Sequence, residues 1–200
     1  MDFLKDIVKE QGVVDMIIGY KKHMEWKDFI DEYNGDWEYI SEIPDLSEDF
    51  IREFQDEVIW NRISGRQELL SEDFIREFED KLNWISISIY QKLSEDFIRE
   101  FEDKVRWLNI SVHQELSEDF IREFRHKVDW GEISQYQELS EDFIREFKDK
   151  VHRIEILIYQ KTSGNFIWKF QDEVYWENIS KYQKLSEEFK EEFKDKLKKN

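Results

Sequence analysis

The sequence predicts an all-α solenoid of short helix-turn-helix repeats with N- and C-terminal capping helices, and three observations support this fold class. A nine-residue block, Leu-Ser-Glu-Asp-Phe-Ile-Arg-Glu-Phe, recurs with a period of about 23 residues, and self-similarity at such a period is typical of stacked repeat arrays. Apolar residues within each copy follow helical spacing. One Pro and six Gly are the only strong helix breakers in 200 residues, so short polar turns are expected between helices.

The positions of the block predict three regions. Residues 1–35 do not match the repeat and are expected to form an N-terminal helical cap or a small subdomain. Residues 36–184 are expected to hold about six two-helix repeats, and residues 185–200 a polar C-terminal capping helix that keeps the array soluble. Complete copies of the block stand at Leu46–Phe54, Leu70–Phe78, Leu93–Phe101, Leu116–Phe124 and Leu139–Phe147.

The second helix of each repeat, here called the Phe helix, starts inside this block. Ser47 has the position of an N-cap, whose side chain accepts a hydrogen bond from an unpaired backbone N–H. Leu46 and Ile51 have the spacing of a hydrophobic staple around that cap. One apolar stripe is expected from four residues: Phe50, Ile51, Phe54 and Val58.

Charged residues of the Phe helix are spaced for ion pairs along its solvated face. Arg52 follows Glu48 by four residues, which is the favourable order for such a pair. The same order recurs with lysine in later copies, at Glu77–Lys81, Glu100–Lys104, Glu123–Lys127 and Glu146–Lys150. These charges are therefore interpreted as helix surface and not as a reactive site.

The first helix of each repeat, here called the Trp helix, is expected to begin at a recurring Trp. Asp129 and Glu132 have capping-box spacing around Trp130. Ile133 and Tyr136 follow at helical spacing, which predicts Trp, Ile and Tyr on one broad face. So short a helix does not persist alone in water, so packing against neighbours must hold it. The recurring residues are Trp37, Trp60, Trp84, Trp107, Trp130 and Trp176.

Charge and composition limit the classes of partner. The net charge of −18 repels nucleic acid and anionic membranes and favours a basic protein partner. The absence of Cys excludes disulfides, thiolate metal sites and a Cys nucleophile. The N-terminal segment, Met1-Asp2-Phe3-Leu4-Lys5-Asp6, is acidic where a secretion signal is basic. A soluble cytoplasmic protein is expected.

No motif in the chain predicts an enzyme, and no catalytic residue, cofactor or metal site is expected. The four histidines, His23, His113, His126 and His152, form no two-His helical metal pair. The chain has no Gly-rich phosphate loop and no nucleophile elbow. The Ser-Glu-Asp triplets lack the loop spacing and Gly of a calcium-binding hand.

Positions that vary between copies are the candidates for a partner surface. The residues one and five after the Trp position lie on one side of the Trp helix, and they are apolar in three copies and not in the others. The hypothesis is that Ile85, Ile89, Leu108 and Val112 form an exposed apolar patch, extended or echoed by Ile154 and Ile158; such patches mark interaction sites. The alternatives are that packing within the array buries these pairs, or that they contact residues 1–35.

One copy departs from the others. Arg153 replaces its Trp, and Trp168 and Lys169 replace its Arg-Glu pair. Trp and Arg are enriched in binding hot spots, which favours a second contact point at these three residues. Simple decay of the repeat explains the same changes, and both interpretations stay open.

Two stretches of the chain resemble a known repeat. The blocks Leu93-Ser-Glu-Asp-Phe-Ile-Arg-Glu-Phe101 and Trp176-Glu-Asn-Ile-Ser-Lys-Tyr-Gln-Lys-Leu185 are similar to a short helical repeat found in proteins of large DNA viruses and some bacteriophages. The resemblance covers about residues 36–200. It implies a viral or phage helical-repeat protein without enzyme activity, and a role in blocking a host protein such as one of a defence system, including anti-CRISPR action.

The function expected first is a non-enzymatic scaffold that binds and blocks another protein. The alternative is nucleic-acid mimicry, in which evenly spaced acidic helix faces fill the basic groove of a nucleic-acid-binding protein. A third class is structural, in which copies of the chain stack or dimerise through the apolar pairs. Mimicry predicts binding that weakens steeply with salt, whereas patch-driven binding does not.

Overall fold

The computed structural model of the protein describes residues 25–67, 70–160, 176, 181–182 and 187–197. Every regular element in these residues is an α-helix, and Trp helices alternate with Phe helices as predicted. The Trp helices are Trp37–Ile40, Trp60–Arg66, Trp84–Tyr90, Trp107–His113, Trp130–Tyr136 and Arg153–Tyr159. The Phe helices are Glu48–Glu53, Glu72–Glu77, Glu95–Glu100, Glu118–Glu123, Glu141–Glu146 and Glu187–Glu192. Residues 25–32 and Lys194–Leu197 are also helical, and the predicted all-α repeat fold is confirmed.

The chain forms two compact units, Met1–Ser86 and Ile87–Asn200. The first unit contains residues 25–32 and the repeats that begin at Trp37 and Trp60, and the second contains the repeats from Trp107 onward. The helix Trp84–Tyr90 contains the boundary. The division into 1–35, 36–184 and 185–200 stays a prediction.

In Met1–Ser86, a helix covers the first Phe helix. Trp26 and Phe29 meet the ring of Phe50 edge-on, at centroid distances of 5.7 and 5.5 Å. This helix ends at a turn in which Asn34 and Gly35 adopt left-handed conformations, with φ of 53° and 67°. The backbone N–H of Gly35 donates to the carbonyl oxygen of Ile30 over 3.0 Å, which closes the helix terminus.

Serine caps the Phe helices from Glu48–Glu53 to Glu141–Glu146 as predicted. The Oγ atom of Ser117 accepts a hydrogen bond from the backbone N–H of Phe120 over 3.1 Å, and Ser140 does the same for Phe143. Phe120 and Phe143 are completely buried. The predicted apolar stripe is therefore the core of each repeat, and these large buried rings are the main source of hydrophobic stabilisation.

The ion pairs predicted along the Phe helix are wrong in three copies. Glu77–Lys81, Glu123–Lys127 and Glu146–Lys150 do not pair, because each helix ends at its last Glu and the chain then turns. The glutamates instead accept from arginines of the preceding repeat, at 2.7 Å for Arg52–Glu77 and 2.8 Å for Arg99–Glu123. Glu48 and Arg52 do pair within one helix as predicted, at 3.3 Å, whereas these three glutamates join neighbouring repeats.

The Trp helices bury Ile, half-bury Trp and expose Tyr, which corrects the predicted shared face. In Ile87–Asn200, the ring of Trp107 packs on Phe124 at 4.8 Å, and its Nε1 donates to the carbonyl oxygen of Glu102 over 2.9 Å. Ile133 is completely buried, whereas Tyr136 is exposed. Ser134, one residue after Ile133, takes the buried position in place of Tyr136.

Buried Ser and Gln side chains join successive Trp helices. Ser134 accepts a hydrogen bond from the backbone N–H of His152 over 2.9 Å and donates to the carbonyl oxygen of Trp130 over 2.6 Å. The Nε2 atom of Gln160 donates to the carbonyl oxygens of Ser134 and Gln137. Every buried side-chain nitrogen and oxygen in the described part of the chain has a partner, as a well-packed core requires.

The C-terminal helices continue this packing. Phe189 and Phe193 are buried, and the ring of Trp176 stacks on them at 6.4 and 5.0 Å. Lys190 and Lys194 point to solvent and pair with Glu187 and Glu191 at 2.6 Å. These two helices thus combine a buried aromatic stripe with a charged outer surface, and their capping role stays a prediction.

Candidate functional site

The invariant charged residues of the repeated block are used by contacts between repeats. In Ile87–Asn200, Glu95 accepts from the backbone N–H of Ser117 over 2.6 Å. Arg99 donates to Glu123 and lies over the ring of Phe120 at 5.0 Å. The hydrogen bond to Glu123 raises the pKa of Arg99 above its ordinary value. These invariant residues hold the array together, so a partner surface is to be sought where the copies differ.

Three of the predicted patch residues are exposed. Ile85 is 47% exposed, Leu108 55% and Ile154 44%. The residues one turn later, Ile89, Val112 and Ile158, are half-buried. The array does not bury the first position of any of the three pairs.

In Ile87–Asn200, the apolar pairs Leu108/Val112 and Ile154/Ile158 lie on either side of the pair Gly131/Gln135. Helix Trp130–Tyr136 packs between Trp107–His113 and Arg153–Tyr159. The exposed surface of these three helices, here called the Trp-helix face, is formed by Leu108, Val112, Gly131, Gln135, Ile154 and Ile158. A Cβ atom on Gly131 would lie 3.3 Å from the imidazole of His152. The imidazole therefore packs over the glycine between the two apolar pairs.

The second predicted contact point is only partly described. Arg153 is exposed at the start of its Trp helix, beside Ile154 on the Trp-helix face. Trp168 and Lys169 lie outside the described residues. The structure therefore brings Arg153 next to the apolar pair Ile154 and Ile158, and the proposed contact at the other two residues stays a prediction.

The sequence pattern does not predict a row of exposed aromatic residues that the structure contains. Tyr90, Tyr136 and Tyr159 are 59%, 52% and 54% exposed at the ends of their Trp helices, and His113 has the same position in its own copy. Open grooves lie between successive members of this row, in Ile87–Asn200. The repeated Tyr is visible in the sequence, but its helical spacing predicts that it shares one face with Trp and Ile.

The described residues hold no cluster suited to a metal ion. No group of three or more His, Asp or Glu within residues 25–67, 70–160 and the shorter described segments could hold one. His113, His126 and His152 are all exposed and stand on separate helices or turns. The same part of the chain contains no helix with the length and apolar character of a membrane span.

The candidate site is thus a surface for contact and not a pocket for chemistry. It consists of the Trp-helix face together with the adjoining row of Tyr90, His113, Tyr136 and Tyr159. Half-exposed aliphatic and tyrosine side chains next to one another are typical of protein interfaces. Comparison with known protein families, with curated proteins and with solved structures finds no match to this chain.

Proposed function

We propose that this protein is a non-enzymatic scaffold that binds another protein through the Trp-helix face and blocks it. The observation that carries the proposal is the exposure of Leu108 and Ile154 at positions that are polar or Gly in other copies. Because the fold does not need apolar residues there, exposing them costs solubility without a structural gain. Contact with a partner supplies the gain.

The proposed partner is a host protein in the cytoplasm, such as one of a defence system. The support is the resemblance of the repeat to those of large DNA viruses and bacteriophages. The net charge of −18 attracts a partner with a basic surface, so such a partner associates faster than an acidic one. Ile85, Ile89, Arg153, Trp168 and Lys169 are proposed to extend the contact.

Mimicry of nucleic acid is the second candidate, and one observation favours it. Asp96, Asp119 and Asp142 occupy the same place in successive Phe helices, and their side chains are 95%, 93% and 93% exposed. Each is ion-paired with an arginine three residues later. These arginines reduce the field of the row, so mimicry is placed second.

A pull-down from nuclease-treated host lysate at low and high salt tests the proposal. The immobilised chain is compared with Leu108→Ser/Ile154→Ser and with Asp96→Asn/Asp119→Asn/Asp142→Asn. We expect a specific protein that stays bound at high salt and is lost with the serine variant. A basic protein that is released by salt and lost only with the asparagine variant would contradict the proposal and support mimicry. Light scattering on all three proteins checks whether the serine change instead abolishes self-association.

A further inference from the structure

Three open grooves follow one another along the ends of the Trp helices in Ile87–Asn200. They lie between Tyr90 and His113, between His113 and Tyr136, and between Tyr136 and Tyr159. Neighbouring grooves share lining residues, since Gln114 belongs to the first two and Gln137 to the last two. The grooves therefore form one continuous, periodic track.

The floor of this track is rigid. Gln137 Nε2 donates to the carbonyl oxygens of Ser111 and Gln114 over 2.9 and 2.8 Å, and its Oε1 accepts from the backbone N–H of Leu116 over 3.0 Å. Gln114 makes the equivalent three bonds one repeat earlier. A ligand entering the grooves meets a preformed surface, so little ordering of the chain opposes its binding.

Three carboxylates and no Lys or Arg line the middle groove, and one of the three, Glu95, pairs with Arg99 at 3.7 Å. Glu95, Glu115 and Glu138 line this groove, together with His113 and Tyr136. Glu95 is already bound to the backbone N–H of Ser117, whereas Glu115 and Glu138 are exposed at the rim. The position of these two residues is Lys in other copies, at Lys92, Lys161 and Lys184. The fold therefore does not require the acid there.

We propose that this track binds an extended, arginine-bearing segment of the partner protein. A guanidinium seated in the middle groove can stack on His113 or Tyr136 and pair with Glu115 and Glu138, because its plane suits both aromatic faces and carboxylates. An extended chain of several residues can span more than one groove, because it rises about 3.3 Å per residue and packed helices lie about 8–10 Å apart. The net charge of −18 draws a cationic segment to this surface and repels an anionic one.

This inference rests on the proposed protein-binding function and deepens it by giving the chemistry of the partner. The probe is a fluorescein-labelled peptide in which Arg alternates with Ser, titrated with the full chain at about 150 mM salt and followed by anisotropy. A peptide with neutral citrulline in place of each Arg is its control. We expect saturable binding of the arginine peptide and at least about tenfold weaker binding of the citrulline peptide.

Matched variants distinguish specific binding in the track from general attraction by the negative charge of the chain. Glu115→Gln/Glu138→Gln removes two charges at the middle groove, and Asp28→Asn/Glu57→Gln removes two exposed charges elsewhere. We expect Glu115→Gln/Glu138→Gln to weaken binding about tenfold and Asp28→Asn/Glu57→Gln to weaken it less than about twofold. Tyr136→Ser keeps the charge and removes the aromatic ring, and we expect it to weaken binding about tenfold. Equal weakening by both charge variants, or no saturable binding by the unchanged chain, would overturn the proposal.

The failure of this inference can be told apart from failure of the proposed function. Capture of a partner that needs Leu108 and Ile154 but is indifferent to Tyr136, Glu115 and Glu138 overturns the track and leaves protein binding intact. Loss of that partner with Glu115→Gln/Glu138→Gln, and not with Asp28→Asn/Glu57→Gln, supports the track directly.

Discussion

The side chain of Gln137 is hydrogen-bonded to the backbone of Gln114, one repeat earlier, with Nε2 donating to the carbonyl oxygen over 2.8 Å. Gln160 makes the same bond to Gln137 over 2.7 Å, and both glutamines are buried. Gln137 thus donates from its side chain to the preceding repeat and accepts at its backbone carbonyl from the following one. This polar connection fixes the spacing of the Trp helices, whereas the apolar core alone is tolerant of small displacements.

Loss of this connection is expected to destabilise the array strongly. Gln137→Met keeps most of the side-chain volume but leaves the backbone N–H of Leu116 without its buried partner and removes two bonds to carbonyl oxygens. We expect a loss of about 3 kcal/mol in the free energy of unfolding, measured by urea denaturation with circular dichroism. Gln135→Met, on the exposed side of the same helix, is expected to change it by less than about 0.5 kcal/mol. Similar losses for both variants would refute the role given to Gln137.

The N-cap of a Phe helix is expected to contribute independently of the core. In Ser117→Ala the backbone N–H of Phe120 loses its side-chain acceptor. The expected cost is about 1 kcal/mol in thermal or urea unfolding. Ser117→Asp retains an acceptor and places a negative charge at the helix N-terminus, so it is expected to restore most of this loss. If alanine and aspartate behave alike, the cap does not stabilise the helix.

The ion pairs between repeats are expected to be weak one by one. Arg99 and Glu123 are about one-third and one-half exposed in their side chains, so solvent screens their attraction. A double-mutant cycle with Arg99→Met and Glu123→Gln is expected to give a coupling below about 1 kcal/mol that shrinks as salt is added. Arg99→Met alone is expected to cost more than Glu123→Gln, because it also removes the contact with Phe120. A coupling of several kcal/mol without salt dependence would contradict this account.

The local part of the fold was predictable because its causes are local. The caps at Ser117 and Ser140, the helix starts at Trp107 and Trp130, and the buried Phe120 follow from short-range spacing and from the repeat itself. The ends of the helices were not predictable to one residue. Glu123 and Lys127 have helical spacing, yet the helix ends at Glu123 and places the lysine beside Asp103 of the preceding repeat, at 3.2 Å.

The polar core carried a signal in the sequence that was overlooked. Ser88, Ser111 and Ser134 recur at one position of the Trp helix, and Gln91, Gln114 and Gln137 recur directly after it. A short polar residue that recurs on the buried side of a helix indicates a hydrogen bond between repeats. The exposure of Tyr136 could not be predicted, because its angle around the helix is close to the boundary of the buried face. Only the packing of the neighbouring helix determines on which side of that boundary it lies.

Variation between copies predicts where the candidate surface lies, but only the structure shows that its apolar residues are exposed. Leu108 and Ile154 have the same helical angle as Gly131, and nothing in their spacing distinguishes a solvent-facing position from one covered by a neighbour. In the structure the three adjacent Trp helices pack against one another and leave both side chains about half exposed. The binding roles proposed for Trp168 and Lys169 stay predictions.

Removal of the exposed apolar residues is expected to leave the fold intact. Leu108→Ser/Ile154→Ser changes two side chains that are about half exposed, so the free energy of unfolding should fall by less than about 1 kcal/mol in total. Urea denaturation of this variant beside Ile110→Ala, whose side chain is completely buried, provides the scale. Ile110→Ala is expected to cost about 2–5 kcal/mol. A comparable loss in the serine variant would mean that the face stabilises the fold and is not free for a partner.

Site-specific photo-crosslinking tests most directly whether the Trp-helix face contacts a protein partner. A benzophenone amino acid is placed at position 108, in place of Leu108, and in a second protein at position 119, in place of Asp119 on the Phe helix. Both proteins are irradiated in nuclease-treated host lysate. The account predicts a discrete protein adduct from position 108 and none from position 119. An adduct from position 119 alone would contradict it and identify the acidic Phe helices as the binding surface.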